Sequence, residues 1–141
     1  HLLHDITMAK LSLIKTDDNL ENKGQWFDWE LGVQLKIARA GNRAFDTMMQ
    51  ELSKPHIQKN RDGNMDDETS EEILKKCIAK TILLGWKNIE DDDGKPIKYS
   101  AKNALELLED EGLRDLYKFV LIKSNDVANY RRKLDEDAVK N

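Results

Sequence analysis

Sulfur chemistry is nearly absent from this chain. Cysteine occurs once, at Cys77, which rules out an internal disulfide framework. Ile73, Leu74, Ile78 and Ile82 surround it at helical spacing, the setting of a small buried apolar residue rather than a reactive thiol. The composition fits a reducing cytoplasm. Histidine occurs three times, at His1, His4 and His56, and no His/Cys spacing matches a zinc site. There is no glycine-rich phosphate loop and no serine framed as a nucleophile elbow. No carboxylate pair stands out as buried, so acid/base catalysis is without support. These residues give no catalytic, cofactor-binding or metal-binding candidate. No apolar run approaches the roughly 20 residues of a membrane span, and the first residues lack a secretory h-region. An excess of cations is lacking too. The net charge of −4 argues against a nucleic-acid backbone as the main partner.

What is present is a balanced, well-solvated composition: 39% hydrophobic and 35% charged residues over 141 positions, which fits one domain. The seven residues before Met8 read as a leader foreign to the natural chain. Residues 8–23 read as a flexible arm, apolar at Leu11-Ser12-Leu13-Ile14 and polar from Thr16 on. Residues 24–134 read as the globular domain, and residues 135–141 as a frayed acidic tail.

The chain is organised around Thr69 to Leu108. Leu74, Cys77, Ile78, Thr81, Ile82 and Gly85 share one helical face, widened by Ile73 and Leu84. Thr69 and Glu72 have capping-box spacing, and Gly85 suits a left-handed C-terminal cap. The spacing predicts a central helix over about Thr69–Leu84. Asp91-Asp92-Asp93-Gly94 is a turn between Ile89 and Ile97 that could close a small hairpin, with Trp86 and Tyr99 near its ends. Ser100 caps a helix carrying Ala104, Leu105 and Leu108, which Gly112 ends. A long last helix follows from Leu113 to about Arg131.

Upstream, Trp26, Phe27 and Trp29 favour strand, and Val33, Leu35 and Ile37 alternate with polar neighbours at period two. A turn at Leu31-Gly32 makes this an N-terminal hairpin. Alone it would not be stable, so it must lie on helices or pair with another chain. Phe45, Met48, Met49 and Leu52 then mark a helix face after Asn42 as N-cap, with Pro55 ending or kinking the helix at Lys54. His56 to Asp67 reads as a mobile polar loop. The class expected is α+β, a mostly helical domain with an N-terminal hairpin and about four helices.

Asp62, Asn64, Asp66 and Glu68 alternate as in a calcium loop. Asp67 and Ile73 stand where an EF-hand needs its glycine and its last glutamate, so the segment reads as an acidic helix entry. Lys36, Arg39, Arg43, Lys54, Lys59 and Arg61 form the one basic concentration, read as a solvated face. The binding hint lies in the tryptophans. Trp26 and Trp29 sit three apart on a strand and face opposite sides of the pleat, so both cannot enter one core. An exposed one marks a partner surface or an edge for strand addition. Trp86 is placed in the core. Trp26, Trp29, Met48 and Met49 are the candidate protein-binding residues.

Phe27 to Phe45, with Val33-Gln34-Leu35-Lys36-Ile37-Ala38-Arg39-Ala40-Gly41-Asn42-Arg43 inside it, begins a series of motifs. Leu84-Gly85-Trp86, Asp93-Gly94-Lys95-Pro96-Ile97, Tyr99-Ser100 and Asn103-Ala104-Leu105-Glu106-Leu107-Leu108 follow. In this order and spacing they resemble a tail assembly chaperone of long-tailed bacteriophages, over Gly24 to Arg132. The resemblance implies a protein of the host cytoplasm that coats the tape-measure protein, recruits tail-tube subunits and is absent from the mature virion. It implies a non-enzymatic role with no catalytic residue and no cofactor, turn roles for Gly41 and Gly94, and packing roles for Trp86 and Leu105. A homo-oligomer stays open. The alternatives are a structural protein of the tail or head–tail joint, and a nucleic-acid-binding accessory protein using Arg39, Arg43 and nearby lysines.

Overall fold

A computed structural model describes residues 8–60 and 62–133. The leader and the acidic tail lie outside the described residues. The protein is α+β, with six α-helices among the described residues rather than four, and a three-stranded antiparallel sheet rather than a lone hairpin. The order is α1 (Leu11–Ile14), α2 (Asp18–Lys23), β1 (Gln25–Asp28), β2 (Gln34–Ile37), α3 (Arg43–Lys59), α4 (Asp67–Thr81), β3 (Leu83–Lys87), α5 (Ala101–Glu109) and α6 (Arg114–Asn125).

The residues expected to form an arm hold two of these helices. Asp17 caps α2 through its carboxylate, accepting from the N–H groups of Asn19 and Leu20. The Glu21 carboxylate lies 3.3 Å from Arg39, and Asp18 lies 3.0 Å from Arg43, so α2 is tied to the chain beyond β2. Thr16 bridges Arg131, which joins this segment to the far end of the described chain.

The hairpin forms as its alternation predicts. Phe27 pairs with Leu35 and Gln25 with Ile37, on the side where Leu35 and Ile37 are fully buried. β2 then pairs with β3, whose first two residues the spacing places at the end of the central helix. The reason is a bulge. Lys36 faces Gly85 and Ile37 faces Leu83, so the register skips Leu84. Leu83 and Trp86, three residues apart, thereby both reach the core, and the period-two signature is lost. Gly85 is a strand residue and caps no helix.

α4 occupies the centre, as its apolar face predicts, and buries Ile73, Cys77, Ile78, Ala79 and Thr81. It begins earlier than expected, with Asp66 as N-cap accepting from Thr69 N–H at 2.7 Å. Those bonds hold the Asp66 carboxyl below its usual range. α3 runs through Pro55 to Lys59, taking in four residues of the segment expected to be a loop, His56 to Lys59. Pro55 and Glu51 are exposed, so water can meet the carbonyl that proline leaves without a donor.

Tyr99 donates its hydroxyl to the carbonyls of Ala79 and Leu83, at 3.0 and 2.6 Å, and staples the α4–β3 junction. Trp86 is buried, meets Tyr99 edge-on at 5.1 Å and donates its indole N–H to Ile97. The turn at Asp91–Gly94 closes a short antiparallel bridge between Glu90 and Pro96. Gly41 and Gly94 both have positive φ, in keeping with turn roles, and Leu105 packs on the core. Ser100 caps α5 by accepting from Asn103 N–H.

The last helix stops at Asn125 instead of running to Arg131. Asp126 turns the chain and caps a short 3₁₀ turn, Val127–Tyr130, by accepting from Ala128 N–H. This turn delivers Tyr130, fully buried, to the base of the hairpin, where its hydroxyl donates to the carbonyls of Ile37 and Ala38.

Candidate functional site

The sheet has one face on the helices and one to solvent. The inner rows are Gln25–Ile37–Leu83 and Phe27–Leu35–Trp86. The outer face carries Trp26, Lys36 and Gly85 in one cross-strand row, with Asp28, Gln34 and Lys87 in the next. Trp26 is 41% exposed and Trp29 is half-buried, so the two rings do lie on opposite sides.

Trp29 packs at the core margin against Phe119, with ring centroids 6.3 Å apart. Trp26 reaches across the sheet instead. A Cβ on Gly85 would lie 3.6 Å from its ring, and the Lys87 ammonium sits 4.3 Å from the ring centroid. Much of the ring is thus engaged in shielding a strand glycine and receiving a cation. That is a structural role, and it weakens Trp26 as a freely offered surface.

Met48 and Met49 are half-buried on α3 and line separate concavities. Met48 lines one with Leu52, Lys80 and Thr81. Met49 lines the other with Ser53 and Ile57. The four candidates therefore do not form one site. They fall on the hairpin and on the flanks of α3.

A cleft that sequence reasoning missed lies among the helices. α4 supplies Leu74 and Ile78, its C-cap supplies Ile82, α3 supplies Phe45, and α6 supplies Leu121, around an open space of about 410 Å³. Ala40, Gly41, Ser124 and Asn125 complete its lining. Phe45, Leu74, Ile78, Ile82 and Leu121 were each legible as part of an apolar stripe. That three stripes leave a gap between them was not. Leu31, at the hairpin turn, is a second missed feature: a fully exposed leucine at positive φ.

The basic concentration is partly neutralised. Arg39 pairs with Glu21 and Arg43 with Asp18, which leaves fewer cations for a phosphate backbone. Burial pushes the Cys77 thiol up, away from thiolate chemistry. Burial first, and then the Glu71 carboxylate that its hydroxyl faces at 3.2 Å, push Tyr117 up to about 12. Among the described residues no group of three or more His, Cys, Asp or Glu side chains is placed to hold a metal ion. No described helix is long and apolar enough to cross a membrane.

A family model described as YdaY prophage protein matches residues 40–141, well over half of the chain. The matched span contains α3 through α6 and every residue that lines the cleft. No curated protein and no solved structure matches the chain.

Proposed function

The chain belongs to the YdaY prophage protein family, and from that premise we propose that it is a tail assembly chaperone. It binds the tape-measure protein, keeps its apolar helices soluble and recruits tail-tube subunits. It works in the host cytoplasm and leaves the finished particle. The reading rests on the motif resemblance described above, and a prophage origin is in keeping with it.

The single observation that carries it is the cleft bounded by Phe45, Leu74, Ile78 and Leu121. Its apolar floor is a helix and its walls are two more, a shape suited to the apolar face of an added helix. The half-buried Met48 and Met49, each in its own concavity along α3, give unbranched, adaptable side chains that tolerate several sequences. No chemistry at a bond is called for.

Co-expression with the tape-measure protein of the same prophage tests this directly. The expected result is that the tape-measure protein moves from the pellet to the soluble fraction and co-purifies with the chain. Leu74→Glu, which sets a charge on the cleft floor, should abolish both effects. Unchanged solubility of the tape-measure protein beside abundant folded chain would end the proposal. Mass spectrometry of purified particles separates it from a structural virion protein, because a chaperone should be missing there.

A further inference from the structure

The two edges of the sheet are finished differently. β3 is closed off. A bulge skips Leu84, the Leu83 carbonyl accepts the Tyr99 hydroxyl at 2.6 Å, and the Trp86 indole N–H reaches Ile97. Asn88, at φ 67°, turns the chain out of the strand and donates its side-chain amide to the Gly32 carbonyl at 2.9 Å. β1 has no such device. It carries no proline, lysine or bulge, and its register with β2 is regular from Gln25 to Asp28.

The parity of the hairpin fixes which groups β1 exposes. Trp29 N–H donates to Val33 at 2.8 Å, so Phe27 and Gln25, at alternate positions of the same register, are the residues that bond to β2. The N–H and C=O of Trp26 and Asp28 therefore point out of the sheet edge. Among the described residues nothing takes them up. Aromatic side chains flank this open row. Trp26 is 41% exposed on the outer face, and Phe27 is half-buried on the inner one.

We propose that β1 is a self-pairing edge: it lies antiparallel to β1 of a second copy of this chain, with the two-fold axis at Phe27. That register sets Trp26 opposite the second copy's Asp28. It uses every outward backbone group of both residues on both copies, and it keeps outer side chains beside outer ones. The side-chain rows favour a second copy over an arbitrary strand. Asp28 shares its row with Gln34, whose amide it accepts at 2.9 Å, and with Lys87. Trp26 shares its row with Lys36 and holds the Lys87 ammonium 4.3 Å from its ring centroid. Pairing brings each Asp28 carboxylate to a row that bears cations, and symmetry repeats the match. On the inner face the two Phe27 rings meet, each with a Lys123 ammonium 5.8 Å from its centroid. The pairing does not depend on the chaperone reading.

Sedimentation equilibrium of the full chain, from micromolar to millimolar concentration, is read together with amide hydrogen exchange. The mass should rise from the 16.3 kDa of one chain toward twice that, and the Trp26 and Asp28 amides should slow as it does. Trp26→Ala and Trp26→Pro both lose the ring, but only proline loses the outward N–H, which the ladder to β2 does not use. Proline should raise the dissociation constant about tenfold or more over alanine. Asp28→Lys should weaken the dimer several-fold and leave the unfolding midpoint of the single copy nearly unchanged.

A chain that stays a single copy at millimolar concentration overturns the pairing. So does a dimer whose Trp26 and Asp28 amides exchange as fast as in the single copy, or one that the alanine and proline variants form alike. The exchange readout on the natural chain decides the matter if the proline variant does not fold. Slowing that appears only when the tape-measure protein is added gives the edge to that partner and overturns the second copy. Asp28→Lys that dimerises like the natural chain overturns the charge match.

Discussion

The two ends of the β1–β2 hairpin use their residues in opposite ways. At the base, Gly24 has φ 80° and ψ 173°, and a Cβ there would come within 2.9 Å of the Ile37 carbonyl group. Tyr130 fills the space beside it and donates to the carbonyls of Ile37 and Ala38. Arg39 N–H donates to Glu21, and the Gln25 amide donates to Asn129. Among the described residues no buried side-chain nitrogen or oxygen lacks a partner, and Ile37 and Tyr130 are fully buried. At the tip the backbone is equally well held, yet a leucine stands in solvent at positive φ. Fixing the fold and fixing a side chain outside the fold are separate tasks, and one hairpin does both.

That contrast can be broken most forcefully at the base. Tyr130→Ala removes a fully buried ring and should cost about 3–5 kcal/mol, read by urea unfolding. A loss below about 1 kcal/mol would mean the 3₁₀ turn does not anchor the hairpin. Tyr130→Phe keeps the ring and loses only the hydroxyl, so about 1 kcal/mol is expected. Gly24→Ala forces a residue into a region open essentially to glycine alone, against backbone at 2.9 Å, and should cost about 1–3 kcal/mol or more.

A pH titration sharpens the same point with a smaller effect. Burial raises Tyr130 and Tyr99 above their usual value of 10.0, and raises Tyr117 to about 12. The folded state then favours the neutral phenols. Stability is full below the unfolded value near 10 and falls as pH climbs from there toward the folded values. Tyr130→Phe should flatten part of this alkaline loss; an unchanged profile would place the titrating group elsewhere.

The tip should give the smallest changes in stability. Asn88→Ala removes the amide bond to Gly32 and should cost about 0.5–1.5 kcal/mol. Leu31→Asn should shift stability by only a few tenths of a kcal/mol, upward if relief of strain dominates. A clear loss at Leu31 would erase the difference between the two ends.

Much of this was readable from local chemistry. Asn42 and Ser100 could be named as caps because a short polar side chain before an apolar stripe has few other uses. The opposite placement of Trp26 and Trp29 follows from pleat parity alone. Their energetic roles did not follow, because the Trp26 ring spends its surface on Gly85 and Lys87, which lie some 60 residues away in sequence. β3 was hidden by a bulge that only the pairing with β2 reveals. The start of α4 was missed because Asp66 and Thr69 are both good caps, and which one serves depends on how the chain leaves α3. The cleft was hidden because it is a gap between stripes rather than a property of any one of them.

Periodicity and capping chemistry, which act over a few residues, determined the hairpin, the central helix and the class of fold. Long-range pairing decided that Leu83–Lys87 is a strand, that Tyr130 closes the hairpin and that Leu31 is held out in water. These outcomes depend on which distant groups meet, and no local pattern carries that information.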